Sequence, residues 1–193
     1  MIKTKEDFIE YLRADFKLNQ SYKITFIKLY FKSAFNPQRR FLLLLRTCEY
    51  YMNCNKKGLT YRIVKYLKFR QGLKTGFSIP ENVLGKGVQL PHYGTIVINK
   101  NAKIGKYCRI HVCVNIGASG GSLKAPQIGN HVYIAPGAKL YGDIQIADRI
   151  AIAANAAVGK SFLNSNKLIG GIPAKEIGDV NITKIIVPGE QIS

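Results

Sequence analysis

His92 is the residue in this chain best suited to moving a proton. It stands in Pro91-His92-Tyr93-Gly94-Thr95, beside a glycine that leaves room for a ligand. An alcohol attacks a carbonyl carbon poorly unless a base takes its proton, and imidazole suits that task near neutral pH. The competing reading is a corner histidine that makes only local hydrogen bonds. His111 is a second candidate, either facing the same cleft in a supporting role or simply packed. A three-histidine zinc site needs ligands that converge. His92, His111 and His131 take the third, second and fourth places of their six-residue units, so no metal is expected. The insert Ala118-Ser119-Gly120-Gly121-Ser122-Leu123-Lys124-Ala125-Pro126, following Gly117, reads as a flexible loop. Its small residues would let backbone N–H groups approach a ligand; the alternative is an idle surface loop.

The elements that position these residues follow from a period of six. Ile98, Ile104, Ile110 and Ile116 form a ladder that resumes at Ile128 and runs through Ile134, Leu140, Ile146, Ile152 and Val158. Four residues beyond the rungs lie Ala102, Cys108, Val114, Val132, Ala138, Ile144, Ile150 and Ala156. A helix would repeat near 3.6 and a strand at 2, so neither fits. A chain that turns a corner every six residues and stacks on itself, a parallel β-helix, does fit. The ladder reaches back through Leu90, Leu84 and Ile79 with irregular spacing, giving about five coils of three short strands. It breaks between Ile116 and Ile128, at the glycine-bearing insert.

Residues 1–75 read differently: basic, aromatic and helical. Thr4 with Asp7 three residues later predicts an N-terminal cap ahead of Phe8, Ile9, Tyr11 and Leu12. A second segment holds Tyr22, Ile24, Phe26, Ile27, Tyr30 and Phe31, ended by Asn36-Pro37. A third runs from Arg39 to Met52 and a fourth from Tyr61 to Phe69. The chain carries 29 Lys+Arg against 11 Asp+Glu, a net charge of +18, which favours anionic partners. The helices suit either a cap on the β-helix or a platform on an anionic membrane surface through residues 20–70. No helix-turn-helix or zinc signature accompanies the charge, so a nucleic-acid partner is not expected. The N-terminus does not read as a signal peptide. Phe41–Leu45 is far shorter than the roughly 20 residues of a membrane span. With four scattered cysteines, the expectation is a cytoplasmic chain with reduced thiols, at the inner face of the membrane in the platform reading.

Ile98–Lys103, Ile104–Arg109 and Ile146–Ala151 resemble the hexapeptide repeat of left-handed β-helix acyltransferases, over about residues 78–177. Leu84-Gly85-Lys86-Gly87, Pro91–Ile98, Val114-Asn115-Ile116-Gly117 and Gly171-Ile172-Pro173-Ala174-Lys175 are similar to the serine acetyltransferase-like branch and its polysaccharide O-acetyltransferase relatives. The resemblance implies a mainly β protein: a left-handed parallel β-helix at 76–177, a small α-helical region at 1–75 before it and a C-terminal tail at 178–193. It also implies a homotrimer with sites between subunits and acetyl-CoA as cosubstrate. His92 would be the general base in direct transfer, with no acyl-enzyme. Gly117, Gly120 and Gly121 would border the thioester. Pro136 and Ala154, with Lys160 and Lys175, would line the coenzyme A site.

The chain departs from the serine enzymes at three places. Pro91 stands where they carry an aspartate, Ala125 where their loop carries a histidine, and Ser78 near where an aspartate orients the imidazole. Glu81 is a nearby carboxylate that could support His92. These departures shift the expected acceptor from L-serine to a sugar hydroxyl of a surface or capsular polysaccharide or its lipid-linked precursor. The alternatives are a serine O-acetyltransferase of cysteine biosynthesis and a non-catalytic trimeric scaffold docked on a membrane.

Overall fold

The computed structural model describes residues 1–17 and 26–186. Tyr22, Ile24 and the rest of 18–25, and the last residues of the tail, lie outside the described residues. Helix α1 (Lys5–Phe16) begins at the expected cap: Thr4 Oγ1 accepts from Asp7 N at 3.0 Å and Asp7 Oδ2 accepts from Thr4 N at 3.0 Å. Helix α2 (Phe26–Lys32) is short. Asn36-Pro37 then starts a helix as well as ending one. Asn36 Oδ1 accepts from Arg39 N at 3.0 Å, and Pro37 opens α3 (Pro37–Asn53), where its missing N–H costs nothing. Helix α4 (Leu59–Thr75) is longer than the sequence pattern predicts and ends at Gly76, in the left-handed conformation with φ 78°.

From Phe77 the chain winds into three sheets. The first stacks Phe77–Ser78, Ile96–Ile98, Val114–Gly117, Lys139–Tyr141 and Ala157–Val158. The second stacks Lys103–Ile104, Gln127–Ile128 and Gln145–Ile146, with bridges from Leu84 and Phe162 at its ends. The third stacks Arg109–Ile110, Tyr133–Ile134, Ala151–Ile152 and Lys167–Gly171, with a bridge from Gln89. All these pairings are parallel, and five strands in the first sheet correspond to five coils. Every rung of the six-residue ladder from Ile98 to Val158 is buried, and so is every fourth-place partner. Cys108 is among them; its thiol reaches Gly129 O at 3.2 Å, as a small core residue would.

The helical region is fused to the barrel. Phe41, Leu42 and Leu45 belong to the same apolar cluster as the barrel's ladder. Arg46, fully buried, locks the contact. Its guanidinium meets Asp15 at 2.7 Å and Glu49 at 3.0 Å, and donates to the carbonyls of Leu84 and Gly85 at 2.9 and 2.6 Å. Burial disfavours its charge, but two carboxylates outweigh that and hold Arg46 firmly protonated. Glu49 also accepts from Asn82 N at 2.8 Å, so one side chain of α3 ties into the first coil's corner. Cys48, behind them, has its thiol pushed up to about 12 by burial.

The expected C-terminal tail is only partly a tail. A strand from Ala174 to Asp179 folds back antiparallel on Lys167–Gly171 through a cis Ile172–Pro173 bond. Ile182 and Ile186 then bury themselves against Ala151. The apolar residues at 180, 182, 185 and 186 carry this packing; they lack the ladder's period because they lie outside the coil.

Candidate active site

Each coil turns from the third sheet to the first at the same edge. Between Ile110 and Val114, Ile134 and Ala138, and Ile152 and Ala156, the turn takes three residues. In the first coil it takes five, Pro91 to Thr95. Gln89 bridges to Arg109, which sets Leu90 beside Ile110, while Ile96 pairs with Val114 rather than with Ile116 two places later. The spacing irregularity at Ile96/Ile98 in the sequence is this two-residue enlargement, and His92 is in it.

The helices hold the enlarged turn from both sides. Gln38 Nε2 of α3 donates to Pro91 O at 3.0 Å. Gly94 N donates to Thr75 O at 2.7 Å, at the end of α4. Gly76 packs so closely on Gly94 that a Cβ there would come within 2.9 Å of its carbonyl carbon. His92 itself is exposed, and no hydrogen bond fixes its imidazole among the described residues. Its ring centroid lies 6.0 Å from that of His111.

His111 is 9% exposed, packed edge-on to Tyr133 at 5.2 Å, and its Nε2 has no partner. Burial first, then the charges of Arg109 and His92, push its pKa below the ordinary imidazole value. It is therefore a neutral ring at pH 7, with an unused nitrogen beside an exposed histidine. His131 lies on a different edge, between the second and third sheets, stacked on Tyr107 at 5.3 Å. The three histidines do not converge, and no group of three or more His, Cys, Asp or Glu able to hold a metal occurs among the described residues.

The remaining candidates divide between two edges of the first sheet. On the His92 edge, the ladder register places Val112, Pro136 and Ala154 in one column, with Gly137 N donating to Val112 O and Asn155 N to Pro136 O at 3.0 Å each. At about 4.8 Å per coil, this column extends some 14 Å from the His92 turn. Lys175 pairs with Gly170 at its far end. On the opposite edge lie Gly117, the insert and Lys160, whose ammonium sits 5.3 Å from the Phe162 ring. Gly120 and Gly121 have φ +57° and +76°, and a Cβ on either would meet nothing within 4 Å. Glycine is favoured at both positions by backbone conformation, not by crowding.

Two expectations need correcting. Glu81 is not brought to His92. It lies on the opposite edge of the first sheet, with Oε1 2.9 Å from Lys68 Nζ. Burial would raise its pKa, but the Lys68 hydrogen bond and charge outweigh that and hold it below the usual carboxylate range. Ala125 is 2% exposed and part of the barrel core, so it is not a loop position facing an acceptor. Its residue type therefore says little about what the acceptor is. Sequence reasoning missed Gln38, whose partner is 53 residues away and leaves no local signal.

With this geometry in place, the fold identifies its class. The chain superposes on the crystal structure of serine acetyltransferase from Brucella abortus strain S19 with TM-score 0.72 and 23% identity, covering 93% of this chain and 72% of that one. A coenzyme A complex from the same organism gives 0.68 and 24%, covering 90% and 67%. The fold is thus the left-handed parallel β-helix. In sequence, the chain is 33% identical over 118 residues to the serine acetyltransferase of Synechococcus elongatus, covering 60% of this chain and 48% of that one. It is 36% identical over 107 residues to that of Mycobacterium tuberculosis, covering 54% and 46%. The chain spans about half the length of these curated relatives. No family model matches it.

Proposed function

We propose that this protein is an O-acetyltransferase that uses acetyl-CoA, with His92 as general base. The carrying observation is the enlarged turn, which presents His92 and the unpartnered His111 at the head of the column Val112, Pro136, Ala154. In this reading His92 takes the acceptor's hydroxyl proton as the oxygen attacks the thioester carbonyl. The tetrahedral intermediate collapses, the C–S bond breaks, and the leaving sulfur receives the proton from His92. His111 holds the acceptor oxygen or a bridging water through Nε2. The pantetheine arm lies along the column, and Lys175 and Lys160 meet its phosphates. Backbone donors of Gly117, Gly120 or Gly121 would supply the oxyanion contacts, typically about 3–4 kcal/mol each. These glycines and Lys160 occupy the far edge of the first sheet from His92. A homotrimer, which sets one copy's edge against its neighbour's, would combine the two groups into one site.

The relatives' names favour L-serine as acceptor. A second reading, a sugar hydroxyl in surface or capsular polysaccharide synthesis, is supported by Pro91, which leaves no carboxylate beside His92 to meet an amino group. Turnover of acetyl-CoA with L-serine, set against nucleotide- and lipid-linked sugars, decides between them. Fast turnover of serine alone rules out the sugar. A scaffold without activity would show turnover with neither.

The same reading puts the protein in the cytoplasm, with a docking face for anionic membrane on α4. Leu59, Ile63, Tyr66, Phe69 and Leu73 are exposed there among Arg62, Lys65, Arg70 and Lys74. Among the described residues no helix is long and apolar enough to cross a membrane. Flotation with vesicles containing anionic lipid tests the face; binding that persists in Ile63→Glu/Leu73→Glu counts against it.

A further inference from the structure

A cleft of about 320 Å³ opens beside the His92 turn, between α1, the start of α3 and the third-sheet face of the first two coils. Lys17, Gln38, Arg39, Gln89, Pro91 and Arg109 line it. Its one carboxylate, Asp15, is already committed: Oδ2 meets Arg46 at 2.7 Å and Oδ1 accepts from Gly87 N at 2.7 Å. Lys17, Arg39 and Arg109 form no ion pair among the described residues. Two donors in the lining, Gln89 Nε2 and Arg109 Nε, are buried without a hydrogen-bond partner. Buried donors without partners cost stability, so this is a place where a ligand's acceptor oxygens would be favoured. The N-terminus of α3, a 17-residue helix, also faces the cleft and adds its positive end.

We propose that this cleft binds an anionic group carried by the acceptor, holding the rest of the acceptor so that its hydroxyl reaches His92. The connection is direct: Gln38 lines the cleft and donates to Pro91 O, one residue before His92. The cleft's volume is the liquid share of about ten water molecules, far more than one carboxylate fills. Phosphate or diphosphate, with several oxygens for the guanidinium forks, matches it better. The role assigned to the anion rests on the acetyl-transfer reading; the binding itself does not.

Calorimetric titration of the full chain with inorganic pyrophosphate, UDP and L-serine tests this. Pyrophosphate and UDP are expected to bind, and Arg39→Gln/Arg109→Gln to weaken both at least tenfold. Such a loss on removing two of 29 Lys+Arg side chains is not general charge attraction. Arg39→Gln alone, at an exposed position, keeps the test open should Arg109→Gln fail to fold. Pyrophosphate binding that does not respond to these changes, or that coenzyme A displaces, overturns the proposal. Binding of L-serine alone would assign the cleft to an amino-acid carboxylate and overturn the phosphate assignment. His92→Ala should leave pyrophosphate affinity unchanged. If arginine-dependent binding is found but no acceptor is acetylated, the cleft stands and the acetyl-transfer reading fails.

Discussion

Two edges of one barrel are built on opposite plans. Between the second and third sheets, Tyr107, His131, Arg149 and Asn166 turn successive coils in the left-handed conformation, with φ of 58°, 54°, 57° and 61°. Side chains stitch the coils together there: Asn130 Oδ1 accepts from Lys106 N at 2.8 Å, and Asp148 Oδ1 from Asn130 N at 2.7 Å. Between the third and first sheets, the first turn breaks the repeat, and the helices, not the next coil's side chains, hold it. His131 on the stitched edge and His111 on the open edge share residue type, a tyrosine ring as neighbour and an unpartnered nitrogen. What differs is burial and the further neighbour: His111 is buried and lies beside an exposed histidine, whereas His131 is half-buried. A repeating edge closes the barrel, and a deviation from the repeat is free to present chemistry.

That contrast can be broken by substitution. His92→Ala is expected to lower turnover by about 10²–10⁴-fold, the usual weight of a general base. Thermal stability and acetyl-CoA binding should be unchanged; wild-type turnover would remove the open edge from the chemistry. On the stitched edge, Asp148→Ala should cost about 1–3 kcal/mol in denaturant titration by stranding Asn130 N, with turnover per folded molecule preserved. Loss of turnover at full stability would mean that this edge is functional too. Gln38→Ala removes one hydrogen bond to the His92 turn. It should cost about 1 kcal/mol of stability and shift kcat several-fold with little change in KM.

The smallest effect is on pH. Burial lowers the pKa of both His111 and His131 below the ordinary imidazole value of 6.5. The unfolded chain then binds more protons than the folded one as pH falls through about 6.5, so stability is full above that value and declines below it. Denaturation midpoints at pH 7.5 and 5.5 should differ less in His111→Gln/His131→Gln than in wild type. An equal difference would show that neither ring is held neutral.

The barrel was legible because its signal is local and repeated. Ile98 to Val158 point inward at fixed spacing, and water excludes anything but apolar side chains there. His92 was legible from its motif, and its turn from the irregular spacing at Ile96. Glu81 was misplaced because sequence proximity says nothing about edges: Glu81 and His92 are eleven residues apart but lie across the first sheet. Ala125 does not face an acceptor because the last two residues of the insert re-enter the core, which loop composition alone does not signal.

The sequence by itself determined the coil, its inward ladder, the helix start at Thr4, and the histidine worth testing. All of these depend on residues within a few places of one another. Only the tertiary structure decided that Arg46 welds the helices to the first coil, that Gln38 holds the His92 turn, and that Lys17, Arg39 and Arg109 face one cleft. Those contacts join residues 38 to 91 and 46 to 84, and the cleft brings 39 and 109 to one lining. They arise where an aperiodic helical region packs on a periodic barrel, and no spacing rule links the two before they meet.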